Sequence, residues 1–471
     1  MDTPDTRTGA TLAITAGGTL LGLAAFSTPL SIVPSVAGGL HAGTTATSWV
    51  LSSMSLGLAV ALLTAGAVGD DFGRRRVFTG GAIVLALGSA VSGVAPNALT
   101  FVVGRVAEGI GAAAVIACGL AIISHTFPPG PARAHATGIW GACLGAGIAL
   151  GPLAGSLLDT AFGWRYTYLL LTVLSLGLAA LGRFRLSESH SGRARTIDGV
   201  GAALLGIGLA SLLAALTQGR QSWTSPLELS LIAGAVVFLV AFVAHQGRAS
   251  GAMLDLTLFR RPALNAATLG AFVSGAGITA LMSFLGTLLE RGMARSTIAA
   301  SVLLLAWSAT SVVSALLTRR IPASVSGGVK LSVGLVVVAV GLVPLTTLTP
   351  GSTTWHLVGG MLVAGVGTGV VNASLAREAV ASVPAARAGS GSGINNTSRY
   401  VGAAIGVTVV TIVAVHPSTD PAGSLVAGWN TAVLGCMAFT LIGAAAVFLL
   451  HRADAAWTAR PAKTPTQAFA R

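Results

Sequence analysis

From end to end of this chain, runs of about 20 apolar residues alternate with short clusters of charge, and that alternation decides the class of fold. A helix needs about 20 predominantly apolar residues to cross a bilayer core. Of 471 residues 53% are hydrophobic and 9% charged, whereas soluble domains carry roughly 25% charged residues. A mean hydropathy of +0.83 suits lipid, not water. The apolar runs are read as spans, near 11–36, 48–68, 77–95, 99–126, 137–158, 166–184, 199–217, 227–245, 263–289, 297–318, 330–348, 354–376, 393–415 and 427–450. The chain is therefore expected to be an all-α integral membrane protein with about 14 transmembrane helices.

Orientation follows from the bases. With the N-terminus taken as inside, Arg165, Arg220, Arg291 and Arg295 fall outside and Arg105 and Arg399 fall within spans, which leaves 21 of the 27 Lys and Arg inside. Cytoplasmic loops retain Lys and Arg, and one span missed in mid-chain would put every later loop on the wrong side. Both termini are thus expected in the cytoplasm. The same retention accounts for the net charge of +13, so no nucleic-acid partner is expected. Cys118, Cys143 and Cys436 all lie inside apolar runs, with no CxxC and no His at ligand spacing, and neither a disulfide nor a metal is implied. The first run is long enough to span and lacks the features of a cleaved leader. Near-absence of Lys, with abundant Ala, Gly and Arg, suggests a GC-rich bacterial coding sequence.

The loop after the second run reads Gly66-Ala67-Val68-Gly69-Asp70-Asp71-Phe72-Gly73-Arg74-Arg75-Arg76. Glycines permit a sharp turn, and Asp70 can cap a helix or pair with Arg. In the fourth run Arg105 and Glu108, at i and i+3, share a helix face within lipid. They are either a mutually neutralised structural pair or a site where Glu108 exchanges a proton as its surroundings change. The fifth run carries Gly147, Gly151, Pro152 and Gly155, a kinked helix that can pack closely. Polar and aromatic residues within the runs that could line a cavity are Ser27, Thr28, Trp49, Ser52, Trp140, Asn265, Trp307, Asn372, Asn395, Asn396 and Arg399.

These strings resemble the signatures of the major facilitator superfamily. The Asp70 loop is similar to the family's G-x-L-a-D-r-x-G-r-k-x loop between spans 2 and 3, with Asp71 where a base is usual. Arg105-Val106-Ala107-Glu108-Gly109 resembles R-x-x-q-G, with Glu108 for the usual Gln. Gly147 to Ser156 looks like the antiporter signature of exporters. Gly163-Trp164-Arg165-Tyr166, Asp198-Gly199-Val200-Gly201, Leu258-Phe259-Arg260 and the stretch from Gly391 to Gly402 extend the likeness to the fourteen-span drug:proton antiporter branch. The resemblance implies the major facilitator fold: an N-terminal six-helix bundle over 1–190, an inserted two-helix linker over 191–250 and a C-terminal six-helix bundle over 251–471. It implies gating at Gly66, Asp70, Gly73, Arg74 and Arg75.

The chain departs from that branch in the first run, where an Asp and an Asn are usual and Ala25 and Leu30 stand here. Of the 14 acidic residues, Glu108 alone lies well inside a run. Candidate proton coupling therefore falls to Glu108 with Arg105, and a dicationic cargo is less expected than a neutral or lightly charged amphiphile. There is no nucleophile constellation, metal cluster or P-loop, so an enzyme or an ATP-driven pump is not indicated and no cofactor is implied. The reading is a monomeric, multi-pass exporter of drug-like molecules in a bacterial inner membrane, exchanging its cargo for protons and touching lipid. The alternative is an uncoupled facilitator or a lipid or metabolite translocator of the same fold.

Overall fold

The computed structural model describes residues 6–190, 198–219, 224–249, 252–322, 324–415 and 420–458. Among them, 14 helices are long and apolar enough to cross a membrane. Spans 1 to 7 are Arg7–Ser27, Ala46–Phe72, Arg74–Gly93, Ala98–Thr126, Pro131–Phe162, Trp164–Arg185 and Gly199–Gln218. Spans 8 to 14 are Pro226–Arg248, Pro262–Gly292, Ile298–Arg320, Gly327–Thr346, Thr354–Ala381, Ala385–Ala414 and Pro421–Ala456. Several outrun their apolar stretch. At 32 residues, span 5 is about 48 Å long against a hydrocarbon core of about 30 Å, so its ends stand in the polar boundary.

Local chemistry sets the breaks. Span 1 stops at Ser27 and a separate helix, Pro29–Gly39, takes up the rest of the first apolar run, because Pro29 has no N–H to continue the ladder. Gly73 (φ 117°) and Gly163 (φ 99°) turn spans 2 into 3 and 5 into 6 in one residue each, a backbone conformation that glycine alone adopts freely. Asn97 caps span 4 by accepting from the Thr100 N–H at 2.9 Å. Span 9 contains a π-helical turn at Ser274–Thr279.

Two apolar cores hold the helices. One is built mainly from spans 1 to 6 and the other from spans 9 to 14. Span 7 lies against spans 2 and 13 and carries span 8 on its outer side, around a small cluster that includes Leu63, Leu205, Phe242 and Ile394. Asp198 fastens this pair: its carboxylate accepts from the Gly201 N–H at 2.7 Å, Gln246 Nε2 at 2.7 Å and the Met253 N–H at 3.1 Å, and faces His245 Nε2 at 2.9 Å. Partial burial works to raise its pKa, but the bonds from Gln246, Gly201, His245 and Met253 hold it down to about 2.

Burial grades the spans by role. Span 8 is 17% buried, and its apolar side chains, such as Val240, face outward in the manner of a lipid-contacting helix. Span 4 is 83% buried, which explains how it tolerates two charges.

Candidate functional site

Three arrangements concern function: a polar clasp at one end of the molecule, a central cavity, and a buried ion pair behind the cavity wall.

The clasp joins the two cores. Arg74 donates to Asp70 from Nε at 3.0 Å and from Nη2 at 2.8 Å, and both side chains are buried. Asp70 also accepts from the N–H groups of Gly389 and Ser390 at 2.9 and 2.8 Å and from Ser390 Oγ at 3.1 Å. Arg74 reaches the Ala385 carbonyl at 3.0 Å. The carboxylate thus sits on the N-terminus of span 13, where helix N–H groups lack partners and the dipole favours negative charge. Span 2 comes close enough for this because a Cβ on Gly66 would strike the Gly389 carbonyl, and one on Gly389 the Gly66 carbonyl. Arg75 and Arg76 approach Glu188 at 3.6 and 3.7 Å, and the Arg75 N–H donates to it at 3.0 Å. Glu188, Gly389 and Ser390 escaped the sequence reading because they lie 113 to 320 residues from their partners.

The cavity, about 940 Å³ counted to its open mouth, is walled by spans 1, 5, 9, 10, 12 and 13 and by the helix Pro29–Gly39. Leu23, Phe26, Leu30, Leu144, Ile148, Met282 and Leu304 make it largely apolar; Ser274, Thr279, Ser283, Ser301, Ser308, Ser311 and Thr368 supply hydroxyls. The π-turn of span 9 faces it, a place where such turns often serve function. Spans 1, 5, 9 and 13 start at the Asp70 end and spans 10 and 12 finish there, so the lining positions run from mid-span toward the opposite end. Toward the Asp70 end the cores touch: a Cβ on Gly141 of span 5 would lie 3.1 Å from the Ala373 nitrogen of span 12.

Of the candidate cavity residues, Asn372 and Arg399 line it. Arg399 is buried, donates to Asn372 Oδ1 at 3.3 Å, and its Nε has no hydrogen-bond partner among the described residues. It is the one charged side chain on the lining. Ser27 and Thr28 donate across to the Gly147 and Gly151 carbonyls of span 5, each at 3.3 Å. Asn265, Asn395 and Asn396 give their amide N–H groups to backbone carbonyls, and Trp307 donates to Thr368 Oγ1 at 2.9 Å behind the wall. Trp140 is buried; Trp49 and Ser52 are half-buried on span 2; none of the three lines the cavity.

Gly147, Gly151 and Gly155 form the face of span 5 that meets span 1. A Cβ on Gly147 would meet the Leu20 carbonyl, and one on Gly151 the Ala24 carbonyl and Ser27 Oγ. Ser31 Oγ donates to the Pro152 carbonyl at 2.7 Å.

Behind span 1, Arg105 and Glu108 form a fully buried ion pair. Arg105 Nη1 also donates to the Ala25 carbonyl at 2.8 Å and Nη2 to the Phe26 carbonyl at 3.3 Å. The Tyr168 ring lies 5.9 Å from the guanidinium. The Ser89 and Ser92 hydroxyls of span 3 face the Glu108 carboxylate, although Oε1 makes no well-aligned hydrogen bond among the described residues. The ion pair does not line the cavity, but span 1 carries Leu23 and Phe26 into it, so Arg105 connects the carboxylate to a cavity wall. Among the described residues no group of His, Cys, Asp and Glu could hold a metal ion.

A cavity at mid-membrane between two helical cores, closed at one end by a polar clasp, is the construction of a membrane carrier. The chain belongs to the Major Facilitator Superfamily, whose pattern matches residues 15–407. It is 33% identical to a probable actinorhodin transporter of Streptomyces coelicolor over 86% of this chain and 72% of that one. It is 32% identical to the multidrug resistance protein Stp of Mycobacterium tuberculosis, over 85% and 73% of the two chains. The multidrug efflux pump LfrA of Mycolicibacterium smegmatis is 29% identical over 94% of this chain and 88% of its own. The human organic anion transporter MFSD10 shares the fold, with a TM-score of 0.70 at 17% identity over 95% of this chain and 100% of that one. This is a transporter family and not one of enzymes. The protein is a multi-pass membrane transporter of small molecules, with relatives that place it in the bacterial inner membrane.

Proposed function

We propose that the protein exports a hydrophobic or amphiphilic small molecule by alternating access, in exchange for protons that load and leave Glu108. In this reading residues 1–190 and 251–471 are two six-helix bundles, residues 191–250 an inserted pair, and both termini and the Asp70 clasp face the cytoplasm. The conformation described is then the one closed to the cytoplasm, from which cargo leaves. The relatives' drug and antibiotic names support the direction and the cargo class.

The observation that carries the reading is the placement of Arg105 between Glu108 and the broken part of span 1. Ion pairing holds Glu108 charged, while dry surroundings favour its neutral acid. When a proton neutralises Glu108, the carboxylate that anchors the Arg105 guanidinium against span 4 is lost, and the guanidinium can swing together with the Ala25 and Phe26 carbonyls it holds. That frees the cavity-lining stretch of span 1 to shift against span 4, which is the coupling between proton and cargo that exchange requires. The carboxylate missing at position 25 is in this view supplied from span 4.

The lining also supports a class of cargo. A cavity with one arginine, no carboxylate and a ring of hydroxyls accepts a neutral or acidic amphiphile, and it offers a cation no counter-charge. The test is uptake into inverted vesicles with an imposed pH gradient, across acidic, neutral and cationic amphiphiles of similar size. Gradient-driven uptake of the first two classes supports the reading; gradient-independent equilibration would favour the facilitator.

A further inference from the structure

The loop between spans 10 and 11 repeats the position of the Asp70 loop in the second half of the chain, and Thr318 to Ser326 contain no acid. The Asp70 loop, between the second and third helices of its core, meets the start of span 13, the fifth helix of the other core. Its counterpart, again between a second and a third helix, meets the start of span 5. At the first junction a buried carboxylate ties an arginine to helix N–H groups. At the second there is a cavity of about 350 Å³ lined by Arg319, Lys330 and Arg377, with Ala134 and Thr137 of span 5 on its far side.

The three bases lack partners that would satisfy them. Among the described residues none forms an ion pair, Arg319 and Arg377 make no hydrogen bond, and Lys330 reaches the Ile321 carbonyl at 3.5 Å. Lys330 is 9% exposed and Arg319 is open to the surface. The neighbouring charges do not cancel them. Glu378, beside Arg377 on span 12, lays its carboxylate on Gly327 at the cavity's edge and attracts Arg377, Lys330 and His451, which leaves one acid against the three bases of the lining. Arg133 is turned to the Phe127 carbonyl, His451 to Ser326 Oγ, and Asp454 accepts from the Ala263 N–H. His135, on the face of span 5 near Arg319, adds no negative charge.

We propose that this cavity binds a phosphate-bearing anion, which does at the second junction what the Asp70 carboxylate does at the first: it ties the loop between spans 10 and 11 to span 5. Two guanidinium groups and an ammonium match the several oxygens of a phosphate. The cavity opens at an end of spans 5, 10, 11 and 12, at the depth of lipid headgroups, so either an anionic lipid or free phosphate can supply the group.

The test measures thermal unfolding of the full-length protein. In detergent, inorganic phosphate is titrated against chloride at equal ionic strength; in lipid nanodiscs, phosphatidylcholine alone is compared with a phosphatidylglycerol mixture. Wild type is expected to unfold at higher temperature with phosphate and with phosphatidylglycerol. Lys330→Gln and Arg377→Gln should each weaken the phosphate response about tenfold, while Arg320→Gln, outside the cavity, should not. A response to phosphatidylglycerol and none to free phosphate assigns the site to lipid; the converse assigns it to the soluble ion. Equal unfolding in all wild-type conditions would overturn the proposal, as would a response that both cavity variants retain in full.

Discussion

Arg105 donates to the carbonyl of Ala25 across 2.8 Å, and that carbonyl is open to it because Pro29, four residues further on, has no N–H to offer. A proline break inside a membrane needs a donor from elsewhere, since lipid supplies none. Span 4 provides it, and the same guanidinium pairs with Glu108. One side chain therefore repairs the break in span 1 and neutralises a buried acid.

Removing Arg105 should leave Glu108 buried without its counter-charge. Arg105→Gln is expected to destabilise by about 3–5 kcal/mol. Arg105→Gln combined with Glu108→Gln should recover a substantial part of that loss. Thermal unfolding in detergent decides it: a double variant no more stable than Arg105→Gln alone would show that the pair is not the source.

The clasp predicts a shift in conformation. Asp70→Asn removes the charge that Arg74, Gly389 and Ser390 share, and breaking a buried pair costs about 3–5 kcal/mol of the closed state. Spin labels at Arg76 and Ala386 should report a new population at longer distance in the variant. An unchanged distance distribution would remove the clasp from the gating account.

The pair of spans 7 and 8 carries a pH signature. The Asp198 pKa of about 2 lies below its ordinary 3.8, so its contribution to stability is fully present above about pH 4 and is lost as pH falls toward 2. Asp198→Asn should lower stability at neutral pH by about 1–3 kcal/mol and flatten the acid dependence in that window. Parallel acid profiles for the two proteins would contradict this.

Arg399 should select cargo. Arg399→Gln is expected to raise the KM for an acidic amphiphile about tenfold and leave a neutral one of the same size within about twofold. Equal effects on both would make Arg399 a structural lock on Asn372 instead.

Much of this architecture was legible in the sequence, because lipid imposes a length and a charge rule that single residues obey openly. The 14 spans and the Asp70 and Gly147 strings could be read from local pattern. The cavity lining could not. In helices apolar on every side, a hydroxyl gives no sign of which neighbour it faces: Ser27 and Thr28 turn to span 5, while Ser274 and Ser301 turn to the cavity. Arg399 stood out because a charge within lipid needs a reason. Glu188 and Ser390 did not, since an acid in a loop and a serine in a Gly-Ser stretch are ordinary until the fold brings them to Arg75 and Asp70.

The central claim is that protons drive export through Glu108, and the direct measurement is Glu108→Gln in inverted vesicles, assayed for both pH-gradient-driven uptake and cargo exchange without a gradient. The account predicts that the gradient no longer accelerates uptake while exchange persists, because the cavity is intact and the proton site is gone. A Glu108→Gln protein that still accumulates cargo against its gradient when the pH difference is imposed would contradict it.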